Sequence, residues 1–259
     1  MKSSINNRIK KIARTVFVLA FWVLIWHIVA VAVGKPILIS TPYDTVKNLV
    51  LLGGEKEFYV IIFSSVLRIL TGFFVAVAIG TLLGIATGKI RLLDEIISPL
   101  LSVIKATPVA SFIILALFWL TKESIPSFIA FLMVLPIIHG NVSEGIKNTP
   151  NELIEMTKIY NVKPIQKLTK LYLPNILPYF LAGFKTSLGL AWKAGVAAEV
   201  IALTKNSIGK ELYEAKNYLE TVDLFTWTLT VIVISMFLEK VLMMTVNRFT
   251  QKRKRGSAK

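Results

Sequence analysis

Four charged residues lie inside long apolar runs: Arg68, Lys185, Lys193 and Glu199. A charge at the centre of a membrane helix costs about 2.5–3.5 kcal/mol or more, so such residues pair with one another or line a functional path. Lys185, Trp192 and Glu199 recur every seven residues, with Gly189 and Val196 between them, which places them along one helical stripe. Two readings stay open: a translocation-path or dimer-axis face, and a set of structural pairs with interfacial snorkelling. Arg68 and Glu199 are expected at similar depth, and so as partners. Bond-making chemistry finds little material. The chain has no cysteine and two histidines, His27 and His139, so no metal centre is expected. His139 reads as a capping or interfacial residue. His-Glu-x-x-His, Gly-x-Ser-x-Gly and Gly-x-x-x-x-Gly-Lys-Ser/Thr are all missing from the sequence. A process that needs ATP would take it from another subunit, and no cofactor is expected on this chain.

The elements that position these residues are membrane spans. Of 259 residues 54% are hydrophobic, and the mean hydropathy is +0.66; soluble domains hold roughly 45–50% apolar residues. A basic tail (Lys2, Arg8, Lys10, Lys11, Arg14) precedes a first apolar run at 15–33. That run exceeds a signal-peptide core of about 7–15 residues, so a retained span is expected. Residues 34–58 read as a loop with a short helix after Pro42. The second span, 60–87, carries Gly72, Ala76, Gly80, Gly84 and, at its end, Gly88 at every fourth position, a smooth ridge for close helix packing. Residues 89–105 read as a cytoplasmic amphipathic segment, and 108–120 and 125–138 as spans three and four, with one re-entrant pair as the fallback. Spans five and six are expected at 175–203 and 224–246, joined by a polar outer segment, with a basic tail after Arg248. The net charge of +15 sorts by side: Lys and Arg concentrate in both tails and in 89–105 and 147–170. By the positive-inside rule both ends are cytoplasmic and the span count is even, best six. Lys252-Arg253-Lys254-Arg255 is expected on anionic lipid headgroups rather than on nucleic acid.

Between spans four and five lies a polar island, 149–174. Thr149, Pro150 and Glu152 read as a side-chain cap, a pre-set first turn and a capping-box glutamate. Leu153, Met156, Thr157 and Tyr160 share one helical face. Asn161 is expected to stop this helix in a left-handed conformation, and Pro164 to open the next.

Glu155-Met156-Thr157, then Asn161, then Leu171-Tyr172-Leu173-Pro174 keep every gap of the Glu-Ala-Ala loop of ABC importer permeases, with both alanines, the glycine and the isoleucine replaced. Ser64-Ser65-x-x-Arg68, Gly72-Phe73, Leu188-Gly189-Leu190-Ala191-Trp192, Ala198-Glu199 and Ser207-Ile208-Gly209 also resemble the nitrate/taurine/sulfonate-type members. So does Leu38-Ile39-Ser40-Thr41-Pro42. The resemblance implies an all-α, six-helix permease of the prokaryotic inner membrane that is not itself an enzyme. Residues 1–58 would form tail, first helix and outer loop, 59–248 the core permease domain, and 249–259 a cytoplasmic tail. Its implied partners are a second permease copy, a cassette ATPase dimer that binds ATP and Mg, and an extracytoplasmic solute-binding protein. The coupling loop would use Glu152, Leu153, Glu155, Met156, Thr157, Tyr160, Asn161, Leu171, Leu173 and Pro174, and the solute would be a small molecule, best a small anion such as a sulfonate or nitrate. An ATP-independent carrier or channel is the alternative; no obvious internal duplication supports it. Lys185 and Lys193 lie outside the family's general pattern.

Overall fold

Long apolar stretches with few breakers give long helices, and the chain is helical with no strand among the described residues. The computed structural model describes the backbone of residues 2–256 and the side chains of residue 10 and residues 13–244. The expected seating of the basic C-terminal run on headgroups therefore lies outside the described residues. In chain order the helices are α1 (Lys2–Val33), α2 (Pro42–Leu52), α3 (Lys56–Lys89), α4 (Arg91–Ala106), α5 (Val109–Ala116), α6 (Ile125–Lys147), α7 (Asn151–Ile159), α8 (Pro164–Lys167), α9 (Leu173–Ala202), α10 (Ile208–Asn217) and α11 (Thr221–Gly256).

Four stretches are long and apolar enough to cross a bilayer: Ala13–Val33, Lys56–Lys89, Ile125–Lys147 and Thr221–Met244. The chain is thus a multi-pass membrane protein. The third expected span is different. Its apolar residues form α5, 8 residues long, about 12 Å at 1.5 Å per residue and far short of a hydrocarbon core of roughly 30 Å. α5 instead follows α4 after a bend of 99°, and the pair together makes one bent crossing or a re-entrant turn. Pro108 is the cause: it pushes Thr107 out of the helical region (ψ 131°) and itself caps α5. The amphipathic 89–105 segment is the helix α4, which packs against α6. α9 has the length of a span at 30 residues, but Lys185, Lys193 and Glu199 lower its apolar character.

The chain divides into two compact units. One joins Met1–Tyr59 to Glu211–Val231. There Thr41 caps α2 through the Asp44 N–H (3.1 Å), with Pro42 in the first turn. Asn48 donates to Asp223 and Thr226, Thr226 donates to the Thr45 carbonyl (3.3 Å), and the Trp26 and Phe225 rings stack at 5.8 Å. The other unit holds Val60–Lys210 with Ile232–Lys259. Its centre is α6, whose Ile129, Ala130, Val134, Ile138 and Val142 are fully buried.

The small-residue ridge of α3 is what admits α6 so closely. A Cβ at Gly72 would overlap the Ser127 backbone carbonyl, and one at Gly84 would sit 2.8 Å from the His139 carbonyl oxygen and from Val142 Cβ. Ala76 is completely buried. At Gly88 the obstacle is Ile146 Cβ at 2.8 Å, and at Gly80 the neighbours stand farther off, Ile138 Cβ at 3.1 Å and the Leu135 carbonyl oxygen at 3.2 Å. Gly72→Ala is therefore expected to cost about 1–3 kcal/mol by overpacking against backbone. Gly80→Ala should cost clearly less. Melting of the two variants in nanodiscs checks the order, and equal loss at both positions would contradict it.

Candidate functional site

The polar island begins where α6 ends. Asn148 closes α6, and its side chain donates to Glu144 at 2.7 Å. Thr149 does not cap the next helix: it is buried and turns its hydroxyl back to the Gly145 carbonyl (3.4 Å). Pro150 takes the cap position with ψ 131°, and no side chain caps α7. The Thr-Pro junction alone is not the reason, since Thr41 caps α2 ahead of Pro42; here the Thr149 hydroxyl is taken by the Gly145 carbonyl of the preceding helix. Glu152 still stands in the first turn, where its charge suits the helix dipole.

The far end follows the expected chemistry closely. Asn161 has φ 46°. Its N–H donates to the Lys158 carbonyl (3.1 Å), and the Val162 N–H to the Thr157 carbonyl (3.0 Å). This is a Schellman stop, which places a left-handed residue just past the helix and satisfies carbonyls that would otherwise lack donors. Pro164 then opens α8. A π-helical turn at Leu168–Tyr172 joins α8 to α9 without a break, the Leu173 N–H reaching back to the Leu168 carbonyl. Pro174 follows at once, and a widened turn relieves the clash its ring would make with the preceding one. Lys89 sits over the Tyr172 ring at 4.8 Å.

Nothing in α7 is buried. Leu153, Met156 and Tyr160 are 41%, 49% and 75% exposed. Glu152 and Glu155 stand exposed beside them, and Thr157 is half-buried. Downstream, Leu173 and Pro174 are exposed and Leu171 half-buried. Ile159 and Ile165 extend the apolar surface and were not singled out from the sequence, although Ile159 falls three residues after Met156 on a neighbouring row. α7 is thus a short helix that leaves its apolar residues uncovered within this chain.

A second constellation closes the other end of α9. Glu199 is completely buried. Its Oε2 accepts from the Ser65 hydroxyl (2.9 Å) and the Gly209 N–H (3.2 Å), and its Oε1 lies 3.6 Å from Arg68 Nη1. Arg68 in turn donates to the carbonyls of Lys205 (2.9 Å) and Asn206 (3.1 Å). The Ile208 N–H donates to Ser65, and Ser207 caps α10 through the Lys210 N–H (3.1 Å). The carboxylate thus rests on the N-terminus of α10, where a negative charge is favoured. Gly209 is required there, because a Cβ would run into Glu199 and the Val200 amide. Ser65, the tie between Arg68's helix and α10, was quoted in the sequence only as part of a motif; its role depends on a contact across 143 residues.

The heptad stripe of α9 divides. Trp192 is buried at 2% exposure along with Glu199. Lys185 and Lys193 are exposed, and Lys185 Nζ lies 3.7 Å from Glu239. At Gly189 a Cβ would meet open space, so close packing within the chain does not explain this glycine. His139 is a tie and not a ligand: its Nε2 pairs with the Thr87 hydroxyl at 2.8 Å, across α3 and α6. No group of His, Cys, Asp and Glu able to hold a metal ion occurs among the described residues.

Known proteins place these features in context. A probable ABC transporter permease protein of Brucella abortus is 26% identical over 232 residues, 89% of this chain and 92% of that protein. The nitrate import permease protein NrtB of Synechocystis is 25% identical over 216 residues, covering 80% and 78%. The bicarbonate transport system permease protein CmpB of the same organism is 27% identical over 175 residues, covering 66% and 62%. Residues 76–256 match the family described as binding-protein-dependent transport system inner membrane component. That match takes in the exposed α7, the continuous helix after it and the buried carboxylate at its end, and the chain belongs to this family, the permeases of ABC importers.

Proposed function

We propose that the chain is the membrane-spanning subunit of an ATP-driven importer for a small oxyanion, working as a homodimer. The observation that carries the reading is α7, an exposed apolar helix held between two membrane segments by a Schellman stop and two prolines. In this reading two such loops face a cassette ATPase dimer, which binds ATP and Mg, while an extracytoplasmic protein delivers the solute. ATP binding draws the coupling helices together and the spans switch from inward-open to outward-open. The relatives named for nitrate and for bicarbonate support the oxyanion class. Residues 59–248 form the core permease domain and the chain resides in a prokaryotic inner membrane.

The path crosses six times, with α1, α3, the bent α4–α5 pair, α6, α9 and α11 as crossings and both ends cytoplasmic. Reporter fusions at Gly54, Lys122 and Asn217 are expected outside, and those at Asp94 and Lys158 inside. An outside signal at Lys158 would remove α7 from the ATPase side. The functional test is uptake of labelled nitrate or bicarbonate into proteoliposomes holding the chain and its ATPase, with ATP enclosed and the binding protein outside. Uptake that needs no ATPase, and follows an ion gradient, would assign the chain to carriers instead.

A further inference from the structure

A cavity of about 210 Å³ opens between α4 and α6. α4 is amphipathic in a direct sense. Leu92, Ile96, Leu100 and Val103 are exposed on its apolar side. Asp94, Ser98, Ser102 and Lys105, spaced four, four and three residues apart, share the other side and line the cavity. α6 contributes His139, Ser143, Glu144 and Lys147.

Most of these groups answer one another. Asp94 accepts from Lys147 (2.6 Å) and from Ser98 (3.2 Å), and Glu144 accepts from Asn148 (2.7 Å). His139 is held by Thr87, and Ser102 donates to the Ser98 carbonyl (2.8 Å). Asp94 is thus paired with a cation, while Glu144 is held by a neutral amide and is in no ion pair among the described residues. Two groups remain. Lys105 is in no ion pair among the described residues, and the Ser143 hydroxyl is buried with no hydrogen-bond partner. The second is unusual in this chain, where Thr81, Thr87 and Ser102 all satisfy their hydroxyls on a carbonyl one turn back. A buried hydroxyl left unpaired needs an explanation. An unpaired cation and an unpaired hydroxyl on one polar cavity are donors for an anion.

We infer that this cavity holds a small oxyanion, with the Lys105 ammonium supplying charge and the Ser143 hydroxyl a hydrogen bond. At roughly 30 Å³ per water, the volume suits a trigonal oxyanion with part of its hydration. The cavity is formed within a single chain, so binding needs neither the second copy nor ATP. As a station on the import route it rests on the permease reading; as a binding site it does not. A lipid headgroup phosphate offers the same chemistry as a soluble anion.

The test is melting of the full chain in nanodiscs while sodium nitrate or sodium bicarbonate is titrated against sodium gluconate at equal ionic strength, since a ligand of the folded state raises its melting point. Nitrate or bicarbonate is expected to stabilise the chain. Lys105→Gln and Ser143→Ala should each raise the half-saturating concentration about tenfold, the loss of one hydrogen bond to a charged group. Lys47→Gln should leave it unchanged. A shift seen in phosphatidylcholine discs and abolished in phosphatidylglycerol discs assigns the donors to a headgroup; a shift kept in both assigns them to the soluble anion. No shift with either anion, or a shift that both cavity variants retain in full, overturns the inference. Failed ATP-driven uptake beside an intact shift would count against the permease reading alone.

Discussion

Proteoliposomes carrying Asn161→Val are expected to take up substrate at a small fraction of the wild-type rate, and those carrying Asn161→Gly at close to the full rate. Asn161 has φ 46°. For an ordinary L-residue that conformation costs roughly 1–2 kcal/mol, and β-branching makes it worse, whereas glycine adopts it freely. With valine the Schellman hydrogen bonds at Lys158 and Thr157 give way, and α7 no longer meets its partner at a fixed angle. Glu155→Lys should be as damaging by another route. It reverses a charge beside Met156 on the exposed helix and adds to Lys158. Neither change touches a membrane helix, so immunoblots of the membrane fraction should show normal amounts. Co-purification of the ATPase, or substrate-stimulated ATP hydrolysis, should be lost with Glu155→Lys. Wild-type uptake from both Asn161→Val and Glu155→Lys would reduce the loop to a linker.

The second large effect is expected at Arg68. Removing one member of a buried ion pair strands the other, at about 3–5 kcal/mol. Glu199 is completely buried and has Ser65 and Gly209 as further donors; Arg68 is one-fifth exposed and also holds two carbonyls. The two single variants should therefore differ. Arg68→Gln leaves a buried carboxylate without its cation and frees the 205–206 backbone, and should yield little folded protein. Glu199→Gln keeps an oxygen for Ser65 and Gly209 and should be milder. The double variant should melt higher than Arg68→Gln alone, because the stranded charge is gone. A double-mutant cycle measures the coupling, and strict additivity would mean that the 3.6 Å approach carries no energy.

Features set by neighbours in the chain were legible. The left-handed Asn161, the helix opened by Pro164, the short helix after Pro42 and the four-residue ridge of α3 all follow from local rules of backbone and packing. The pairing of Arg68 with Glu199 followed from the cost of a charge in lipid. What escaped depended on competition or distance. Thr149 lost the cap because its buried hydroxyl turns back to the Gly145 carbonyl of the preceding helix, a competitor that the Thr-Pro pattern does not display. Residues 108–120 looked like a span because apolar character was counted past Ala116, where the helix ends and 117–120 form a turn. The polar side of α4 was visible as Asp94, Ser98, Ser102 and Lys105, but only α6 lying opposite turns that side into a cavity.

One more consequence follows from the unbroken run of helix from Pro164 through the π turn to Ala202. It amounts to roughly 55–60 Å of helix, with Pro178 inside it, the α7 loop at one end and the Glu199 carboxylate near the other. A helix resists stretching, so under the proposed coupling role force applied at the loop would reach the far end as rotation or translation of the helix. The π turn is the compliant joint of that helix, and it lies beside the point of load. Under that proposed role flexure would be taken up near the ATPase, while the other end is held by Arg68, Ser65 and the first turn of α10. In mechanical terms the proposed mechanism would place a universal joint at the drive end and a rigid coupling at the load.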